Sequence, residues 1–230
     1  MKQAAGQPAP RSLPVWDLPT RLSHWGIVVL LLVQVMSSQF SLLPVAWHLW
    51  GGYLLLLVVL FRIVWGLVGS DSARFSPMIA SLRGLPDYLP LLFSRRPTLW
   101  AGHNPVGSLS SLLLLLLLLV SCISGLFIET WADDRGPLAE RVSRDTGLLM
   151  ADMHSLVRWP LYLLVVIHVA AVLGYLLFKR EDRITPIFVH GRLQVIEGRE
   201  LKVESARRAF LVLVICLAVV VSVVVLGPVY

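Results

Sequence analysis

Long apolar runs broken by short polar stretches dominate this chain, and five of them stand out: 24–43, 48–68, 107–128, 156–178 and 209–226. Each holds at least about 18 largely apolar residues, enough to cross a hydrocarbon core of roughly 30 Å as an α-helix. In lipid, a spanning segment has to satisfy its own backbone polar groups, so a helix is the expected form of each run. The pattern predicts an all-α integral membrane protein: a four-helix transmembrane bundle from the first four runs, plus a fifth C-terminal transmembrane helix. The fifth run is the shortest and is dense in Val, Leu and Ile.

The breaks between runs predict the connections. Trp16, Asp17, Leu18 and Pro19 form a helix lead-in, with proline in the first turn where its missing N–H does no harm. Pro44 marks a tight turn, so the first two spans form an antiparallel hairpin. Segment 70–106 intersperses Pro77, Pro86, Pro90, Pro97 and Pro105 with apolar residues and is expected to lie along the membrane interface. Segment 129–153 is expected to lead into the fourth span through a short helix, and 147–178 to form one long helix. Two β-prone runs flank Glu197 and Gly198 and predict a hairpin there. The division along the chain is a disordered tail at 1–14, a four-helix membrane domain at 15–180, a polar segment at 181–208 and the fifth helix at 209–230. No cleavable signal peptide is expected, because the first apolar run is too long for one.

Composition agrees with a membrane class: 57% of the 230 residues are hydrophobic and 15% charged. The net charge of +6 is an orientation signal rather than a nucleic-acid footprint. Lys2, Arg11 and Arg21 precede the first span. Arg74, Arg83, Arg95 and Arg96 follow the second, and a cluster from Lys179 to Arg208 follows the fourth. Segment 129–153 is instead acidic, with Asp133, Asp134, Glu140 and Asp145 among its residues, and 44–47 is uncharged. The positive-inside rule then puts the N-terminus in the cytoplasm and the C-terminus outside. No nucleic-acid partner is expected; membrane lipid is. The two cysteines, Cys122 and Cys216, lie within spans and form no C-x-x-C-H motif, so covalent c-type haem attachment is excluded.

Candidate chemistry rests on histidine, an expensive residue inside a membrane. His24 opens the first run and His48 the second, while His154 and His168 lie 14 residues apart on the fourth. Fourteen residues are just under four helical turns, so the last two share a helix face, separated by roughly 21 Å along the axis. Topology matches the four by depth: His24 with His168 toward the cytoplasm, His48 with His154 toward the outside. Each pair can supply both axial ligands of one haem between facing helices. Zinc or copper is the competing reading, but two imidazoles with no Cys or carboxylate at their depth make a thin site for a bare ion. Gly51 and Gly52, one turn past His48, either leave room for a flat ring or serve close helix packing. Arg158, one turn past His154, either pairs with a haem propionate or snorkels to the interface, and snorkelling is the reading for Arg62.

Several motifs together resemble a known family. The stretch from Val15 to Trp25 is similar to the opening of bacterial di-haem b-type cytochromes of the cytochrome b-561 group, which includes the cytochrome subunits of nickel–iron hydrogenases. The likeness continues through His48-Leu49-Trp50-Gly51-Gly52-Tyr53, Phe61 to Gly69, and Gly102-His103-Asn104-Pro105, and ends with His154 and His168. It covers roughly 15–192. It implies two non-covalent b haems on the same histidine pairs, electron exchange with a quinone, and a place in a bacterial inner membrane. It also makes His103 a candidate for a propionate or quinone contact, or for a loop-ordering role. His190 falls outside the motifs and is expected in an exposed loop. The fifth span departs from the four common in the family.

The resulting expectation is transmembrane electron transfer between the quinone pool and a redox partner outside, a periplasmic c-type cytochrome or an oxidoreductase subunit. The acidic segment 129–153 either steers such a partner by charge or simply lacks positive residues. Two alternatives stand beside it: a single-chain quinone oxidoreductase acting on superoxide or a metal, and a non-redox membrane anchor.

Overall fold

Helices form where the apolar runs predict them. The computed structural model describes residues 11–92, 94, 104–128, 135–195 and 202–225. Five helices are long and apolar enough to cross a membrane: α1 (Leu18–Ser38), α2 (Val45–Val68), α5 (Pro105–Gly125), α6 (Arg144–Phe178) and α7 (Ala206–Val225). Two short helices, α3 (Phe75–Ser81) and α4 (Leu85–Leu92), run across the end of the bundle between α2 and α5. The first helix starts six residues before His24, because Asp17 caps it: one carboxylate oxygen accepts from the Thr20 N–H at 2.9 Å. The other oxygen accepts from the indole N–H of Trp65 at 2.9 Å, tying the start of α1 to the end of α2. Asn104 caps α5 through the Gly107 N–H, and Ser143 caps α6 through the Thr146 N–H.

The first four long helices alternate in direction. α1 packs on α2, α2 on α5 and α5 on α6. Leu55 and Val59 of α2, Leu118 of α5 and Leu161 of α6 form an apolar layer across the middle of this bundle. α7 lies outside it, on α2: Ala209, Val212 and Cys216 meet Phe61 and Trp65, and Val220 meets Leu56. Its N-terminal approach is fixed by polar contacts. The Glu204 N–H donates to Ser70 Oγ at 3.0 Å, Lys202 and Asp71 exchange backbone and side-chain bonds, and the Glu204 carboxylate meets Lys202 at 3.0 Å and Arg208 at 3.1 Å.

A small sheet closes the end where the chain enters. Strand β1 (Arg11–Pro14) pairs antiparallel with β2 (Arg192–Val195), Arg11 opposite Val195. The N–H groups of Val15 and Trp16 both donate to Gly191 O, at 2.7 and 2.8 Å. The Arg21 guanidinium donates to the carbonyls of Ile187, Phe188 and Val189, in the single π-helical turn Pro186–His190. Gly191 is left-handed at φ 68°, and a Cβ on it would collide with the Trp16 carbonyl. Residues 11–14 are thus a strand, not the end of a disordered tail. The partner of β2 is β1, because the ends of α1 and α6 meet there; the hairpin expected about Glu197 and Gly198 lies outside the described residues.

Candidate functional site

α6 carries His154 and His168 on one face, and its position relative to α1 and α2 decides what those rings can do. α6 runs closely along α5. Leu161, midway between the two histidines, is the residue that reaches the central layer with Leu55 and Val59. All four intramembrane histidines are half-buried, two at each end of that layer.

His48 and His154 face each other with ring centres 6.1 Å apart and planes at 83°. His154 Nδ1 lies 2.8 Å from the Ser121 carbonyl, which can only accept, so Nδ1 carries the proton. Ser124 Oγ is 3.3 Å from the same nitrogen; its own proton goes to the Val120 carbonyl at 2.7 Å, which leaves the oxygen to accept. His48 Nδ1 has the same kind of partner in Ser37 Oγ at 3.4 Å, whose proton goes to the Val33 carbonyl at 2.7 Å. An imidazole whose proton sits on Nδ1 when neutral presents its Nε2 lone pair, the form that ligates a metal. Gly125 allows the His154 ring to sit against α5: a Cβ there would be 3.3 Å from it.

A cavity of about 500 Å³ opens beside this pair, lined among others by Gly52, Tyr53, Cys122 and Arg158. That volume is within the range of small-molecule pockets, roughly 300–1,000 Å³. The two glycines past His48 have different tasks. A Cβ on Gly52 would meet nothing within 4 Å, whereas one on Gly51 would lie 2.7 Å from Gln34 Nε2 of α1. Gly51 therefore serves helix packing and Gly52 faces open space. Gln34 itself donates to the His48 carbonyl at 3.2 Å. Arg158 stacks over Trp159 at 5.3 Å, yet its Nε is buried and without a hydrogen-bond partner among the described residues. A buried guanidinium N–H in that state favours an anionic group beside it.

His24 and His168 lie within electrostatic reach of each other at the opposite end. Trp25 stands edge-on to His24 at 5.3 Å. His24 Nδ1 is buried and unpartnered among the described residues, as is Thr20 Oγ1 one turn earlier. Arg62 also reaches His24 electrostatically. The guanidinium is turned to the Ala73 carbonyl at 3.1 Å and to the Phe75 ring at 5.4 Å, which corrects the snorkelling reading: this charge is held at the helix end by the α2–α3 connection.

The donor set can be tested against the expected cofactor. The 6.1 Å between the His48 and His154 ring centres leaves space for one metal ion between them, which the two rings would hold through metal–imidazole bonds of about 2 Å each. Among the described residues no three His, Cys, Asp or Glu side chains converge on one point. Two imidazoles suit a planar group that brings its own equatorial ligands better than a bare ion. The residues fit a haem at this pair. Sequence reasoning missed Ser37, Ser121, Ser124 and Gly125, which look in an apolar run like ordinary small residues at helix contacts. His103 lies outside the described residues, and Asn104 beside it donates to the Tyr175 hydroxyl at 3.0 Å.

Comparison with known proteins agrees in extent with this architecture. The sequence model of one family, prokaryotic cytochrome b561, matches residues 15–190. No curated protein and no solved structure matches the chain. The matched stretch takes in α1, α2, α5 and α6 with all four intramembrane histidines, and stops before α7. The chain belongs to the prokaryotic cytochrome b561 family, whose members are multi-pass membrane b-type cytochromes built as four-helix di-haem bundles for electron transport.

Proposed function

We propose that the chain carries electrons across a bacterial inner membrane between a redox partner outside and the quinone pool, using two b haems. One haem is held by His48 and His154 near the outer face, the other by His24 and His168 toward the cytoplasm. The observation that carries this reading is the His48–His154 arrangement: rings 6.1 Å apart, each with its Nδ1 beside an oxygen. When bound, the haems supply one-electron carriers.

The remaining tasks fall to this chain's residues. Ser37, Ser121 and Ser124 orient the outer rings, Gly52 leaves the cofactor room, and Arg158 neutralises a propionate. Gly51 keeps α1 against α2. His103 contributes a propionate or quinone contact at the cytoplasmic end. Leu55, Val59, Leu118 and Leu161 keep water and ions from following the electron through the middle. The basic residues around the chain entry and after α6 hold that end in the cytoplasm. The outer partner is a c-type cytochrome or an oxidoreductase subunit.

A haem count by pyridine haemochrome tests the reading. Two haems per chain are expected, with His48→Ala or His154→Ala removing one and His24→Ala or His168→Ala the other. Purified protein without a dithionite-reduced b-type band would sink it.

A further inference from the structure

α5 and α6 run antiparallel in a single register, fixed by contacts at three levels. At the outer end Ser124 and Gly125 of α5 lie against the His154 ring. In the middle Leu118 and Leu161 share the apolar layer. At the cytoplasmic end Asn104 donates to the Tyr175 hydroxyl at 3.0 Å. His154 and Tyr175 are 21 residues apart, and so are Asn104 and Gly125, so the two helices keep step along their whole contact. His168 falls inside this ladder, between the Leu161 and Tyr175 levels. It lies 14 residues past His154, and 14 residues before Ser124 stands Ser110. Steps of seven residues keep two helices facing each other along one seam. Ser110 therefore stands to His168 as Ser124 stands to His154, with Ser111 in the place of Gly125.

The Ser110 hydroxyl differs from its outer counterpart in one respect. A serine in an apolar helix commonly bonds back to a carbonyl of the preceding turn, as Ser124 does to Val120 at 2.7 Å. Ser110 Oγ is buried and has no partner among the described residues. A buried hydroxyl left without a bond is costly, so a polar group belongs beside it. From Leu163 to Leu173 of α6 the one polar side chain is His168. We infer that Ser110 is a positioning residue for His168, its oxygen accepting the Nδ1–H of that ring. The inference rests on the haem-ligand reading above. One device then serves both ends of α5: a serine on the same seam holds each α6 imidazole with Nε2 turned to the cofactor.

Electron paramagnetic resonance of the oxidised full chain, with its haems in lipid nanodiscs, tests this, because the low-spin g-values of a bis-imidazole haem report how its ligand rings are set. Two signals are expected; His168→Ala should delete one and His154→Ala the other. Ser110→Ala keeps all four ligands and both haems. It should shift the His168 signal alone and raise the midpoint potential of that haem, since an acceptor on Nδ1–H makes Nε2 the stronger donor. Ser110→Thr, which retains the hydroxyl, should restore both readings. Ser111→Ala should move neither signal, and Ser124→Ala should shift the His154 signal alone. The inference is overturned if Ser110→Ala leaves the His168 signal in place or moves the other, or if Ser111→Ala reproduces its effect. The haem count separates two levels of failure. A count other than two, or one that His168→Ala leaves unchanged, sinks the ligand reading and this inference with it. Two haems with a silent Ser110→Ala overturn this inference alone. If a histidine substitution strips both haems, Ser110→Ala and Ser124→Ala decide: shifts of different signals support it, and shifts of the same signal overturn it.

Discussion

α2 and α6 bring His48 and His154 to one cavity, yet they are held in opposite ways. α2 packs against α1, α5 and α7, and 39% of its most apolar window is buried; α6 packs along α5, and 6% of its window is buried. Lipid covers an outward apolar face without driving helices together, so association in a membrane depends on packing and polar contacts between helices. α2 has those in abundance. α6 reaches the central layer through Leu161 and the first pair of helices through its histidines. One helix is a scaffold; the other is a wall whose inner face is completed by what lies between the rings.

The largest test of that difference is cofactor removal. A chain with all four intramembrane histidines replaced by alanine should show amide exchange in α6 raised by about tenfold or more over that in α2, the ratio equivalent to about 1.4 kcal/mol. Exchange mass spectrometry in nanodiscs reads this directly, and an equal rise in both helices would break the comparison. Glycine substitutions come next. A Cβ on Gly66 of α2 would press into the Phe75 ring, whereas one on Gly174 of α6 meets nothing within 4 Å. Gly66→Ala should cost about 1–3 kcal/mol as overpacking, with Phe75→Leu restoring part of it. Gly174→Ala should be neutral or stabilise by up to about 1 kcal/mol through helix propensity. Detergent-induced unfolding followed by the haem band distinguishes them, and similar losses at both sites would refute the contrast.

The smallest expected effect concerns the third neighbour of α2. Hydrogen bonds from Lys202 and Arg208 hold the Glu204 carboxyl below the usual carboxylate range. A carboxyl depressed in the folded state stabilises it above the unfolded value of about 4.3, and that contribution fades as pH falls through the folded value. Acid should therefore loosen the attachment of α7 before it disturbs the bundle. Glu204→Gln should weaken the attachment at neutral pH and flatten this dependence, as limited proteolysis near 202–208 would show. Acid release of α6 ahead of α7 would contradict it.

The spans could be read from the sequence because they rest on local run length, a one-dimensional signal, and the alternation of successive spans is what brings His48 to His154. Individual residues near the rings were harder. Gly51 and Gly52 are equivalent by helical spacing, and only the neighbouring Gln34 separates packing from open space. Ser37 and Ser124 bond back to their own helices, as serines in apolar helices commonly do, so nothing local marks the imidazole beside each. Arg62 looked like an interfacial charge because the carbonyl it meets, Ala73, sits beyond a turn whose path the sequence does not state. The β1–β2 pairing was invisible for a related reason: β2 has the composition of a strand, but its partner lies at the far end of the chain.

That pairing also constrains biogenesis. Chains emerge from the ribosome N-terminus first, so Arg11–Pro14 and Arg21 are exposed to the translation machinery long before Gly191 and β2 exist. The first hairpin has to be inserted and kept waiting while α5 and α6 follow. Closure at this end comes only once the stretch after α6 is made, shortly before α7. A ribosome stalled after α6 but before β2 would display four inserted spans with an unlatched end, and the His24–His168 side would be the last part of the family's core to mature.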